Sequence, residues 1–157
     1  MVTRFGPLHA VSSGLVIGDP SRRHLRLSPD ALRHCDDERV LETFDWASIE
    51  RVRLDLPTTR FRWPGAAAAL ATSALVLLMQ DDPGVRVDDR AATLTTASGE
   101  RRVPLSQHHI GRYWRGAVAR CEALLARLVE TPAHRELLAQ PEALVRAVAR
   151  SAALRPQ

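Results

Sequence analysis

His108 and His109 are the only adjacent pair of histidines in this sequence, and they are the local pair that we consider for metal binding or proton transfer. Neighbours in a helix point about 100° apart, so both could not readily ligate one ion. Zinc sites need further ligands at helical spacing, but the positions three or four residues away hold Leu105, Arg112 and Tyr113. We interpret the pair as one packed and one solvated histidine, and the sequence predicts no metal and no cofactor.

Nucleophilic catalysis has no recognisable motif in this chain. There is no G-x-S-x-G elbow, no P-loop and no G-x-G-x-x-G turn. Cys35 and Cys121 stand far apart and outside any motif, which is typical of free thiols in a reducing cytoplasm. The sequence therefore predicts a cytoplasmic protein that is not an enzyme. An alternative stays open, in which a small active site is assembled from the distant residues His108, His109 and Asp45.

Arginines alternate with aromatic residues over a short stretch, where Arg60 and Arg62 flank Phe61 and precede Trp63. Such interleaving occurs in proteins that bind single-stranded nucleic acid. A half-buried strand with its arginines in water produces the same pattern. Because helix-turn-helix and zinc-finger spacings are absent, the sequence argues against a nucleic-acid partner.

Two further arginines, Arg112 and Arg115, lie off the apolar stripe of a predicted helix. Together with Arg60, Arg62 and Trp63 they form the candidate binding surface. All 22 basic residues of the chain are arginines, which indicates a GC-rich genome. Residues 1–100 carry 12 arginines against 14 acids, whereas residues 101–157 carry 10 against 4. This basic end would attract phosphates or an anionic membrane surface, unless it is simply a solvated helix face.

One segment, 65–79, carries no charge and is rich in alanine. As a helix it would span about 22 Å, which is short of the roughly 30 Å hydrocarbon core of a bilayer. A core helix, a helix leading into a strand, and a membrane-contacting segment all remain open. The shortness of the segment favours the buried interpretations.

Short alternating segments predict antiparallel strands over 24–27, 31–35, 40–44 and 50–56, with a late hairpin over 92–105. Asp45 is expected to cap one helical turn that points Trp46 and Ile49 inward. In the clearest strand, alternate side chains should be buried and exposed. We expect burial of Val52, Leu54 and Leu56, and exposure of Arg51, Arg53 and Asp55.

From Ser106 the apolar period becomes helical, and Ser106 is the predicted N-cap. The apolar stripe comprises Ile110, Trp114, Ala117, Val118, Cys121, Leu124, Leu125 and Leu128. Trp114 is expected to anchor this helix in the core. Two more helices are predicted to begin at Pro132 and Pro141.

The length of 157 residues and the hydrophobic share of 45% suit one folded domain. We predict an α+β fold, with an antiparallel sheet or partly open barrel closed by a C-terminal amphipathic helix. The predicted organisation is a domain over residues 1–130 and a helical extension over 131–157 packed on the same domain.

The order of these elements resembles that of the bacterial pleckstrin-homology-like (PH-like) domains over about residues 20–130. The stretches that carry the resemblance are Leu-Arg-Leu-Ser-Pro-Asp-Ala-Leu at 25–32, Phe-Asp-Trp-Ala-Ser-Ile-Glu-Arg-Val at 44–52, and the helix from Tyr113-Trp114 to Leu128. The resemblance implies a binding scaffold rather than an enzyme, often located at or near the membrane.

The function expected from the sequence is a non-catalytic interaction module that binds a protein or peptide. Such a module can bind by pairing a strand along an open sheet edge. The alternative is a membrane-associated module that uses segment 65–79 or the basic C-terminal helices. The identity of the partner and the oligomeric state stay open.

Overall fold

The computed structural model describes residues 3–60, 90–107 and 112–153, which form antiparallel sheets followed by helices. The first sheet is a meander of six strands, each hydrogen-bonded to the next. Its strands are β1 (Thr3–Phe5), β2 (Leu8–Val11), β3 (Gly14–Gly18), β4 (Arg23–Leu27), β5 (Ala31–Asp36) and β6 (Arg39–Asp45). The predicted strands over 24–27, 31–35 and 40–44 are confirmed as β4 to β6.

A 3₁₀ turn, Trp46–Ser48, leads the chain from the first sheet to the second. The Oδ1 atom of Asp45 accepts a hydrogen bond of 2.9 Å from the N–H of Ala47, as predicted for a capping residue. Trp46 is only 1% exposed, and Ile49 is buried beside it in the core cluster. The indole N–H of Trp46 donates to the carbonyl oxygen of Ser28 at 2.8 Å, so this buried ring also has its polar atom satisfied.

The second sheet contains β7 (Ile49–Asp55), β9 (Ala91–Thr96) and β10 (Gly99–Pro104), with β9 in the middle. In β7 the predicted alternation is confirmed for four residues, because Val52 and Leu54 are buried and Arg51 and Arg53 are exposed. The predicted late hairpin is also confirmed as the antiparallel pair β9–β10.

The end of β7 differs from the prediction. Asp55 is half-buried rather than exposed, because its carboxylate accepts from the Thr93 hydroxyl at 3.0 Å and pairs with Arg53 and Arg102 at 3.2 and 3.3 Å. Leu56 lies just past the end of the strand and is partly rather than fully buried.

Two very short strands, β8 (Thr58–Thr59) and β11 (Tyr113–Trp114), pair in parallel. The helices are α1 (Arg115–Glu130), a 3₁₀ helix (Pro132–Ala139) and α2 (Pro141–Ala153). The predicted helix starts at Pro132 and Pro141 are confirmed.

The prediction that α1 begins after Ser106 is wrong. The backbone N–H of Ser106 donates to the carbonyl oxygen of Arg23 at 2.8 Å, and its own carbonyl accepts from the N–H of Asp19 at 3.0 Å. These two bonds hold Ser106 against the β3–β4 connection, so its backbone groups are not available to a helix. The helix begins only at Arg115.

The helices pack against strands of both large sheets. Helix α1 packs on β7, whereas α2 packs on β1 and β2. The close approach of α1 to the β1–β2 turn requires glycine at position 6, where a Cβ atom would lie 2.6 Å from the Cβ atom of Ala117 and φ is +56°. Among the described residues, hydrogen bonding does not close the strands into a barrel. No helix in the described ranges is long and apolar enough to cross a membrane.

Candidate binding surface

The β8–β11 pair brings three of the predicted surface residues into one region. Thr58 is in register with Tyr113, and Thr59 with Trp114. The N–H of Tyr113 also donates to the carbonyl oxygen of Pro57 at 2.9 Å. Arg112 and Arg115 directly flank β11, and Arg60 directly follows β8. Arg60 therefore continues the register toward Arg115. We call Arg60, Arg112 and Arg115 the arginine surface.

All three members of the arginine surface are exposed. None of them forms an ion pair or a side-chain hydrogen bond with another residue in the described part of the chain. Elsewhere, described carboxylates neutralise several arginines in the pairs Arg33–Asp30, Arg53–Asp55, Arg101–Glu42, Arg102–Asp55 and Arg146–Glu142. The arginine surface therefore presents guanidinium groups that no described carboxylate neutralises.

The sequence around the arginine surface lacks acids. No Asp or Glu occurs over residues 56–80 or over residues 101–121, and these are the two stretches that meet at the β8–β11 pair. Each acid-free stretch extends beyond its short strand in both directions along the sequence. Exposed like charges repel one another, so a cluster whose own two stretches carry no carboxylate favours a positive potential toward a partner.

The amino end of α1 adds to this positive potential. Its N-cap, Trp114, makes no side-chain capping bond, and its first turn contains no acid. The unsatisfied N–H groups and the helix dipole favour negative charge at this end. Gly116 lets the Trp114 ring lie against the first turn, since a Cβ atom there would come within 2.3 Å of the Cζ2 atom of the indole.

Trp114 does not take the place expected for it. It is half-buried and precedes the helix, whereas its neighbour Tyr113 is only 3% exposed and belongs to the core cluster. Tyr113 is buried instead of Trp114 because both residues belong to the strand paired with β8, and adjacent residues of a strand point to opposite faces. Of the other predicted stripe residues, all those that the structure describes are buried as expected, namely Ala117, Val118, Cys121, Leu124, Leu125 and Leu128.

The remaining predicted site residues fall outside the described residues. These are Arg62 and Trp63 of the candidate surface, segment 65–79, and His108 and His109 together with Ile110 of the predicted stripe. Asp45, the third residue of the alternative active site, is described, and its carboxylate caps the 3₁₀ turn.

The buried titratable groups favour neutral forms. Burial lowers the pKa of His24 and of His34 below the ordinary value of 6.5. The Nδ1 atom of His24 lies 2.9 Å from the carbonyl oxygen of Arg22, and the Nε2 atom of His34 lies 3.1 Å from that of Pro104, so these nitrogens carry the protons.

Both cysteines are buried free thiols. Burial raises the pKa of Cys35, and it raises the pKa of Cys121 to about 12. Because the thiolate is the nucleophile and the metal ligand, thiols in this state react poorly. Within the described ranges, no group of three or more His, Cys, Asp or Glu residues could hold a metal ion.

Comparison with known proteins identifies no relative. No family model, no curated protein and no solved structure matches the chain.

The sequence analysis selected each arginine of this surface individually, but it did not predict that Trp114 would be half-buried beside them. The gap in acidic residues over 56–80 and 101–121 is the signal that could have linked the two stretches.

Proposed function

We propose that this protein is a non-catalytic binding module whose arginine surface binds an acidic segment of a partner protein. The observation that carries the proposal is the meeting of three exposed arginines, which have no ion-pair partner among the described residues, at the junction of two acid-free stretches. The planar guanidinium group matches a carboxylate in two parallel hydrogen bonds, so a cluster of arginines suits glutamates and aspartates in an extended segment.

A half-buried Trp114 beside Arg115 supports the same proposal. Trp and Arg are the residue types most enriched among those that dominate protein–protein interfaces. An exposed charge pair contributes only about 0.2–1 kcal/mol, so the arginines alone would give a weak, salt-sensitive complex. Contact with the indole ring would add the apolar area that exposed ion pairs lack.

We further infer that the scaffold is PH-like. The inward-pointing Trp46 and Ile49 at the junction of two antiparallel sheets, followed by an amphipathic helix, support this inference. The parallel β8–β11 pair and the second helix, α2, are additions to such a scaffold. A binding role fits a scaffold of this class, although fold alone does not determine function.

Fluorescence anisotropy with a labelled decaglutamate peptide tests the proposal. In the test variant all three members of the arginine surface are replaced by Glu. The matched control replaces Arg22, Arg51 and Arg150 by Glu, which changes the net charge equally. These three are exposed and form no ion pair with another described residue.

We expect the test variant to bind the peptide at least about tenfold more weakly than the control, because reversal turns three attractions into repulsions. Equal weakening in both variants would mean that net charge alone attracts the peptide, and would refute the proposed surface. A further arm measures sedimentation with phosphatidylglycerol vesicles. If the protein binds these vesicles through the arginine surface but does not bind the peptide, the partner is an anionic membrane rather than a protein.

A further inference from the structure

Strand β6 is the last strand of the six-stranded sheet, and no other described strand pairs with its outer edge. The other end of that sheet, β1, is covered by α2. The free edge of β7 is covered by α1, because the N–H of Leu54 donates to the carboxylate of Glu122 at 2.8 Å. An uncovered strand edge is a template for pairing with another chain.

The apolar side chains on this edge are concentrated at a bulge. Val40 is in register with Cys35 and Glu42 with His34, so Leu41 is an extra residue in β6. A bulge places two residues of one strand opposite one residue of its partner. Val40 and Leu41 are each 44% exposed, and they are two of the three large hydrophobic residues exposed in the described part of the chain.

Opposite charges flank these two residues. Arg39 is exposed and has no ion pair within the described residues. Glu42 is held by Arg101, whose Nε and Nη2 atoms donate to the same oxygen, Oε2, at 3.2 and 3.1 Å. Within the described residues the other oxygen, Oε1, accepts no hydrogen bond, and it can therefore take a second arginine.

We propose that a second copy of this chain binds along β6, in an antiparallel pairing about a two-fold axis between Val40 and Leu41. In that register Val40 lies opposite Leu41 of the second copy, and Arg39 lies opposite Glu42 of the second copy. The same pairs recur on the other side of the axis, as a two-fold interface requires. In this one register apolar residues face apolar residues and opposite charges face each other. This complementarity is the reason for proposing a second copy of the chain as the partner of β6.

Because β6 begins at Arg39, this register pairs only four residues on each strand. Interfaces of such small area are weak or transient, so the dimer should form only at high concentration. This interface shares no residue with the arginine surface, and its test is independent of the proposed function.

Sedimentation velocity of the full chain, from about 1 µM to about 500 µM, tests the dimer over the range expected for a weak interface. We expect the mean mass to rise toward that of a dimer. Arg39→Glu should place two carboxylates opposite each other, and Glu42→Arg two guanidinium groups, so each variant alone should associate at least about tenfold more weakly. Mixed together, the two variants should associate, because every facing pair is then of opposite charge. Arg51→Glu on β7 is the control and should leave association unchanged.

A wild-type protein that stays monomeric throughout the range would overturn the proposal. So would a mixture that fails to associate while urea unfolding shows that both variants are folded. Loss of association in the Arg51→Glu control would trace self-association to net charge and would likewise overturn the pairing along β6.

Discussion

Removing the carboxylate that covers the edge of β7 should destabilise the protein. Glu122 on α1 accepts a 2.8 Å hydrogen bond from the backbone N–H of Leu54, a residue that is only 5% exposed. In Glu122→Ala this buried N–H loses its acceptor, which costs about 1–3 kcal/mol. Alanine has a higher helix propensity than glutamate, and this returns up to about 0.5 kcal/mol. We therefore expect a net loss of about 0.5–3 kcal/mol in the free energy of unfolding.

Urea unfolding measures this difference. With a slope of about 2 kcal/mol per molar urea, the midpoint should fall by about 0.25–1.5 M. Glu130→Ala at the exposed end of the same helix is the matched control, because it removes the same side chain without touching a strand edge. Glu122→Gln keeps a carbonyl acceptor and should lose less than Glu122→Ala. If Glu122→Ala and Glu130→Ala unfold at the same urea concentration, the account of the covered edge is wrong.

Other perturbations follow from burial and charge. Trp46→Ala should cost about 3–5 kcal/mol in unfolding free energy, because the ring is 1% exposed and lies under Arg135 at 5.4 Å from the centroid. Trp114 is half-buried, so Trp114→Ala should lower the free energy of unfolding clearly less than Trp46→Ala does. Equal urea midpoints for the two variants would contradict this order. Burial lowers the folded-state pKa of His24 and His34, so unfolded chains take up protons first as the pH falls below 6.5. The stability that these neutral histidines provide is therefore present above pH 6.5 and is lost as the pH falls through their folded-state pKa values. Urea midpoints between pH 7.5 and 5 should decline less in His24→Gln, and an unchanged decline in that variant would exclude His24 as a cause.

Local patterns predicted those parts of the fold in which neighbouring residues decide the structure. The alternation of Val52 and Leu54 with Arg51 and Arg53 located β7, and the Asp45 cap with inward Trp46 located the turn between the sheets. In each case the deciding interactions span only a few positions. The same argument explains why Pro132 and Pro141 marked helix starts reliably.

Contacts between distant residues decided the features that the sequence analysis missed. Ser106 has the side chain of an N-cap, yet its backbone bonds to Asp19 and Arg23 keep it out of α1. The extra residue in β6 shows in the sequence only as two adjacent apolar residues, Val40 and Leu41, which do not by themselves identify a bulge. For the candidate surface, each arginine could be seen in the sequence, but its proximity to the others depends on a strand pair that joins Thr59 to Trp114.

That strand pair has a consequence for when the arginine surface comes into being. Arg60 leaves the ribosome well before Arg112 and Arg115, and the residues between them include β9 and β10. Contacts between segments far apart in sequence form only after the entropy of closing the intervening loop has been overcome, which makes them late events in folding. A partner that needs all three guanidinium groups at once would therefore bind neither the nascent chain nor the unfolded protein. Recognition of this kind would select molecules that have completed their folding.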